Sequence, residues 1–138
     1  MKAFNTYLNF DGETKEAMNF YKKCLDAKLD LQTFGDIPGG GGPPGSENRT
    51  MHARLEKDGA VIMASDSMPG QKVVMGNNFS INIDCGSVAE QDKYFNALAA
   101  GGKVTMPLQE TFWGARFGML VDKFGVQWML NCELPKRG

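Results

Sequence analysis

A chain of 138 residues with 42% hydrophobic content is long enough to bury one core without disulfide or metal staples. Its 15 Lys and Arg nearly cancel its 16 Asp and Glu, leaving a net charge of −1. With no basic stripe or lysine-rich amphipathic run, composition excludes electrostatic capture of nucleic acid or of a membrane surface. Cys24, Cys85 and Cys132 are odd in number and far apart, with no CxxC spacing. They read as reduced thiols, not as a disulfide frame or a zinc site. The opening Met1-Lys-Ala-Phe-Asn-Thr-Tyr7 lacks the apolar core of a signal peptide. No apolar run approaches membrane-spanning length, so a cytoplasmic location is expected.

Phe4 to Phe10 alternates as a strand, with Thr6, Leu8 and Phe10 on one face and Asn5, Tyr7 and Asn9 on the other. A turn at Asp11-Gly-Glu-Thr14 leads into a helix from about Thr14 to Leu25. Its apolar stripe is Ala17, Phe20, Tyr21, Cys24 and Leu25. Ala27 to Phe34 reads as a second strand. Between Asp36 and Asn48 glycines and prolines rule out regular structure, and a flexible loop, inert or a lid, is expected. A hairpin with strands at 50–57 and 60–65 follows, then a linker from Ser67.

The second half repeats the plan. Asn78-Phe-Ser-Ile-Asn-Ile-Asp84 answers Asn5-Thr-Tyr-Leu-Asn-Phe-Asp11, with both Asn positions and the Asp identical. A helix from about Ser87 to Ala100 should bury Val88, Tyr94, Phe95, Leu98 and Ala99, and Gly101-Gly102 stops it. Lys103 to Met106 is a short strand. The strongest stretch closes the chain: Gly114 to Asn131 reads as two strands around a turn at Asp122-Lys-Phe-Gly125. Met51 to Ala64 is its fainter copy, with Gly59 under Gly125 and Met63 under Met129. Each half therefore reads β-α-β-β-β, an α+β fold of two modules at about 1–66 and 76–135 within one domain.

Paired βαβββ modules in this length resemble the vicinal oxygen chelate superfamily, which includes glyoxalase I, bleomycin-resistance proteins and extradiol dioxygenases. Tyr7-Leu-Asn-Phe-Asp-Gly12, Met51-His-Ala-Arg-Leu55, Met63-Ala-Ser-Asp66, Gly102-Lys-Val-Thr-Met-Pro-Leu-Gln109 and Phe112-Trp-Gly-Ala-Arg-Phe-Gly118 are similar to its PhnB-like branch. Some members of that branch carry a demethylubiquinone methyltransferase label. The resemblance implies two curved mixed sheets around a cup, in a homodimer, and it does not imply a reaction. No glycine-rich turn after a strand suggests a nucleotide-like cofactor, so no cofactor is expected.

In metal-using relatives each module gives one ligand from its first strand and one from its last, as His, Glu or Gln. Here the resemblance puts Asn5 and Asn78, Met63 and Met129 at those positions. Neutral amides and thioethers are poor donors for a hard divalent ion, so no such metal is expected. The cup can still take a small molecule. Strand alternation turns Tyr7, Asn9, His52, Arg54, Ser80, Asn82, Gln127 and Asn131 toward it, over a floor of Met63 and Met129. A partly wet concave face also accommodates Asn9 and Asn82 without a ligand.

His52, the only histidine, could act as an acid or base near neutral pH, or could simply bond a neighbour. Arg116 could clamp a carboxylate or phosphate, or pair with Glu110 or Asp122. Trp113 lines the cup or a dimer contact, and Trp128 packs on the second helix. Asp122 and Asp66 read as turn or cap residues. No nucleophile sits near the histidine in sequence, and Gly39 to Gly42 is no phosphate loop. Three functions remain: a metal-independent binder of a small molecule, a lyase or dioxygenase-type enzyme with or without metal, and a protein-interaction module.

Overall fold

The computed structural model describes residues 1–135. The chain divides into two compact units, Met1–Val74 and one beginning at Met75. The first runs β1 (Thr6–Phe10), α1 (Thr14–Leu25), β2 (Lys28–Thr33), β3 (Thr50–Lys57) and β4 (Ala60–Asp66). The second runs β5 (Ile81–Cys85), α2 (Val88–Ala99), β6 (Lys103–Glu110), β7 (Ala115–Val121) and β8 (Gln127–Glu133). Their sheets have the same order, β1-β4-β3-β2 and β5-β8-β7-β6. In each the first strand pairs parallel with the last and the other pairs are antiparallel. The duplicated plan is present.

Each sheet buries the face that meets its helix. In the first unit Phe10, Ala53, Leu55 and Ala64 pack with Ala17, Met18, Tyr21, Cys24 and Leu25 of α1. Phe20, expected on the stripe, is only half-buried, and Met18 takes the core place instead. In the second unit Leu120, Trp128, Leu130 and Cys132 are buried, together with Tyr94, Phe95 and Leu98 of α2. Gly118 is required there, because a Cβ would sit 2.9 Å from the Phe95 ring. The helix lies that close to the sheet. Ser87 caps α2 by accepting from the Glu90 amide, but Val88 is 40% exposed. The buried stripe starts one turn later at Gln91, a polar residue that periodicity had not marked.

Two carboxylates organise the strand ends. Asp66, buried at the end of β4, accepts from the Gly12 and Thr14 amides and the Thr14 hydroxyl through Oδ1, and from the Thr50 amide through Oδ2. One side chain thereby ties the start of α1 and the start of β3 to β4. Asp122 does the corresponding work in the β7–β8 turn. It accepts from the Phe124 and Val126 amides and from the Trp128 indole at 2.8 Å. Gly125, at φ +90°, completes that turn in a backbone region other residues avoid.

Some strand expectations need correction. β5 starts at Ile81, not at Asn78. Tyr7 pairs with Met63 and Asn82 with Met129, so the counterpart of Tyr7 is Asn82, two places from the identity match of Asn9 with Asn82. A two-residue shift preserves strand parity, which is why the identities misled without inverting the faces. β6 runs on to Glu110 through Pro107, which lacks an amide proton but is tolerated on an edge strand. The Gly/Pro-rich segment holds no helix or strand over 37–49, as its composition implies, and it is tied at its base. The Phe34 amide donates to Arg49 O and the Gly35 amide to Glu47 O, while Ser46 is 2% exposed. The Arg49 guanidinium then bonds Asp11 and the Ser67 carbonyl.

Candidate functional site

The face of each sheet turned away from its helix carries most of the expected site residues. On the first sheet the register sets Tyr7, Met63, Arg54 and Asp30 in one row across β1, β4, β3 and β2. His52 pairs with Gln32 on the same face. The Tyr7 hydroxyl and His52 Nδ1 lie 3.3 Å apart, with ring centroids 6.0 Å apart. Tyr7 is 43% exposed, so this pair is open to a ligand. When the imidazole carries its proton on Nε2, the hydroxyl donates to Nδ1 and the ring N–H is free to face a guest. Arg54 is held by Glu56 on its own strand, and Asn9 is exposed one row away. These residues come together.

On the second sheet Asn82, Met129, Met119 and Met106 form the corresponding row. Asn82 donates to Asp84 at 3.2 Å, and Gln127 donates to the Gly76 carbonyl, tying β8 to the segment before β5. Ser80 lies just before β5, exposed and outside the sheet. Trp113 is 60% exposed in the turn between β6 and β7, stacked edge-on against Phe112 with centroids 5.0 Å apart. It lies on no strand face.

Arg116 is corrected. Its guanidinium bonds Asp92 at 2.8 Å and Gln91 at 3.2 Å, both on α2, so it lies on the helix face. The same Gln91 donates to the Arg116 and Leu130 carbonyls. The partner is neither Glu110 nor Asp122, and the anion clamp is withdrawn: a guanidinium committed to a buried amide and a carboxylate serves to fasten α2. Sequence reasoning missed Met106 and Met119. Alternation through β7 could have placed Met119, whereas Met106 is masked by the Pro107 irregularity.

All three thiols are free and buried. Burial, reinforced by Glu90, Cys132 and Asp84, pushes the Cys85 thiol up to about 12. An ordinary thiol titrates near 8.5, so the unfolded chain gives up this proton first. The resulting stability is present below that value and is lost as pH rises toward 12. Iodoacetamide at pH 8 should label Cys85 only after denaturant unfolds the chain. Rapid labelling of Cys85 in the folded protein would contradict this placement.

The metal expectation can be tested on the donors themselves. Pairing of first and last strands puts Tyr7 beside Met63 and Asn82 beside Met129, with Asn5 and Asn78 outside the strands. A phenol, an amide and two thioethers do not fit a hard divalent ion. Among the described residues no three His, Cys, Asp or Glu side chains cluster as ligands. No helix among them is long and apolar enough to cross a membrane.

Two four-stranded sheets, each with parallel outer pairing and one helix, define a glyoxalase/bleomycin-resistance-like fold. A glyoxalase/bleomycin resistance protein/dioxygenase family enzyme from Burkholderia phytofirmans PsJN shares it at TM-score 0.64 and 18% identity, over 94% of this chain and 98% of that one. At that identity the likeness is one of fold alone. Residues 2–131 match the family model described as 3-demethylubiquinone-9 3-methyltransferase, and the chain belongs to that PhnB-like family. Protein YjdN of Escherichia coli K12 is 36% identical over 135 residues, covering 91% of each chain. Protein PA1353 of Pseudomonas aeruginosa is 41% identical with a TM-score of 0.87, over 98% of this chain and 100% of that one. The PhnB protein of Bacillus cereus, a putative 3-demethylubiquinone-9 3-methyltransferase by name, is 30% identical with a TM-score of 0.78, over 95% and 99%.

Proposed function

We propose that the chain is a binding protein for a small organic molecule, held on the helix-free face of the first sheet. The carrying observation is the Tyr7–His52 pair, an exposed hydrogen-bonding couple seated beside the half-buried Met63. Polar groups converging over an apolar patch suit a ligand with one hydrogen-bonding end and an apolar body. A homodimer of single-domain chains, as the superfamily resemblance implies, belongs to this reading. A thermal-shift screen of metabolites and hydrophobic antibiotics tests it. A compound at about a hundred times its Kd adds about 2.7 kcal/mol to stability. The shift should shrink in His52→Gln and in Tyr7→Phe. No shift from any compound class, or a shift untouched by both substitutions, would reject it.

A second reading, turnover of the bound molecule by lyase or dioxygenase-type chemistry, is favoured by the same hydrogen bond. A phenol and an imidazole in contact can pass a proton to or from a guest. Product analysis by mass spectrometry separates the two, since a binder returns its ligand unchanged.

A further inference from the structure

The geometry points to a soft monovalent-metal site on the second sheet, formed by the thioethers of Met106, Met119 and Met129, with Cu(I) or Ag(I) as the class of ion. Met106 pairs with Met119 and Met119 with Met129, so three neighbouring strands present sulfur on one face in one row. That face lies opposite Leu120, Trp128 and Leu130, which pack on α2. All three methionines are half-buried, so none is used up in the core. Strand propensity does not account for them: Val, Ile and aromatic residues suit a pleated surface better, and the row has Met in every one of three strands.

The edge strand carries a second, independent feature. The β6–β7 register shifts on both sides of Met106, between Val104 and Met106 and again between Met106 and Gln109. Irregularities of this kind re-aim a side chain, and here they keep Met106 opposite Met119 while the ladder around it slips. Thioether sulfur is neutral, polarisable and selective for Cu(I) over hard divalent ions. Asp84 stands one row away on β5, beside Asn131, and supplies a negative charge for a bound monocation. The ion would be held by one unit alone, independently of the ligand proposed for the first sheet.

The test uses the full chain labelled with carbon-13 at the methionine methyls and titrated with silver nitrate, a probe without redox chemistry. Silver should shift the Met106, Met119 and Met129 methyl signals together, saturating at a single ion per chain, and leave that of the buried Met18 in place. Zinc should leave all of them unmoved. Met119→Leu, nearly volume-conserving and expected to fold, should abolish the concerted shift of the other two. Silver taken up while these methyls stay still would place the ion elsewhere and overturn the site. An equal response to zinc, or a concerted shift surviving in Met119→Leu, would overturn it as well.

Discussion

Asp66→Ala is expected to lower unfolding stability by about 3 kcal/mol or more, because four donors, three of them buried, lose their acceptor at once. Those donors are the Gly12 and Thr14 amides, the Thr14 hydroxyl and the Thr50 amide. Thr14 and Thr50 are fully buried, so water cannot replace the carboxylate without opening the structure. A domain of this size has about 5–15 kcal/mol in total. The loss would therefore remove a large share of it. Asp66→Asn keeps an oxygen for the α1 amides but turns an NH2 toward the Thr50 N–H, and about 1–3 kcal/mol is expected. Urea unfolding followed by circular dichroism reads both values. A change below about 1 kcal/mol for the alanine variant would show that Asp66 is not the tie it is described as.

Asp122→Ala is the second large effect, also about 3 kcal/mol, and it has a partner that isolates its cause. Asp122 holds two backbone amides and the Trp128 indole. Trp128 is 0% exposed against α2, so Trp128→Phe retains most of the ring volume but deletes the indole donor. That change alone should cost about 1–3 kcal/mol. In the double variant the penalties should fall short of additive by about 1 kcal/mol, the coupling of the indole to the carboxylate. Additive penalties would mean that Asp122 works only through the turn. The pair matters beyond stability, because the turn sets the register that puts Met129 opposite Met119.

Much of the fold was legible in the sequence, and the reasons are local. The first helix was bounded at Thr14 and Leu25, where its stripe begins and ends. The hairpin at 50–57 showed through alternation, and the β7–β8 turn through Asp122 and Gly125. The duplication was legible because both modules bury the same periodic positions. What failed depended on partners distant in the chain. The start of β5 is fixed by pairing with β8, while the Asn identities near Asn78 belong to an irregular segment. Gln91 is buried because two carbonyls and Arg116 satisfy it, a fact no hydropathy pattern carries.

The layout of the candidate face was legible to the same degree. Parity placed Tyr7, His52, Arg54 and Met63 on one face, and the structure brings them together. Arg116 was read from its chemistry, as an anion clamp or a partner of Glu110 or Asp122, although parity groups it with Gly118 and Leu120 on the helix face. Asp92 and Gln91 on α2, distant in sequence, decide where the guanidinium goes. Trp113 sits in a turn, where alternation has no meaning. The irregular stretch of β6 hid Met106 from a period-two reading.

Mass spectrometry under native conditions, on the wild type and on a Tyr7→Phe/His52→Gln double variant, tests the binding claim most directly. Compounds selected by thermal shift should appear as a single added mass on each wild-type chain, and the double variant should lose the adduct while keeping its circular dichroism spectrum. An adduct that survives in the double variant, or its absence from the wild type with every compound offered, would contradict a ligand seated on Tyr7 and His52.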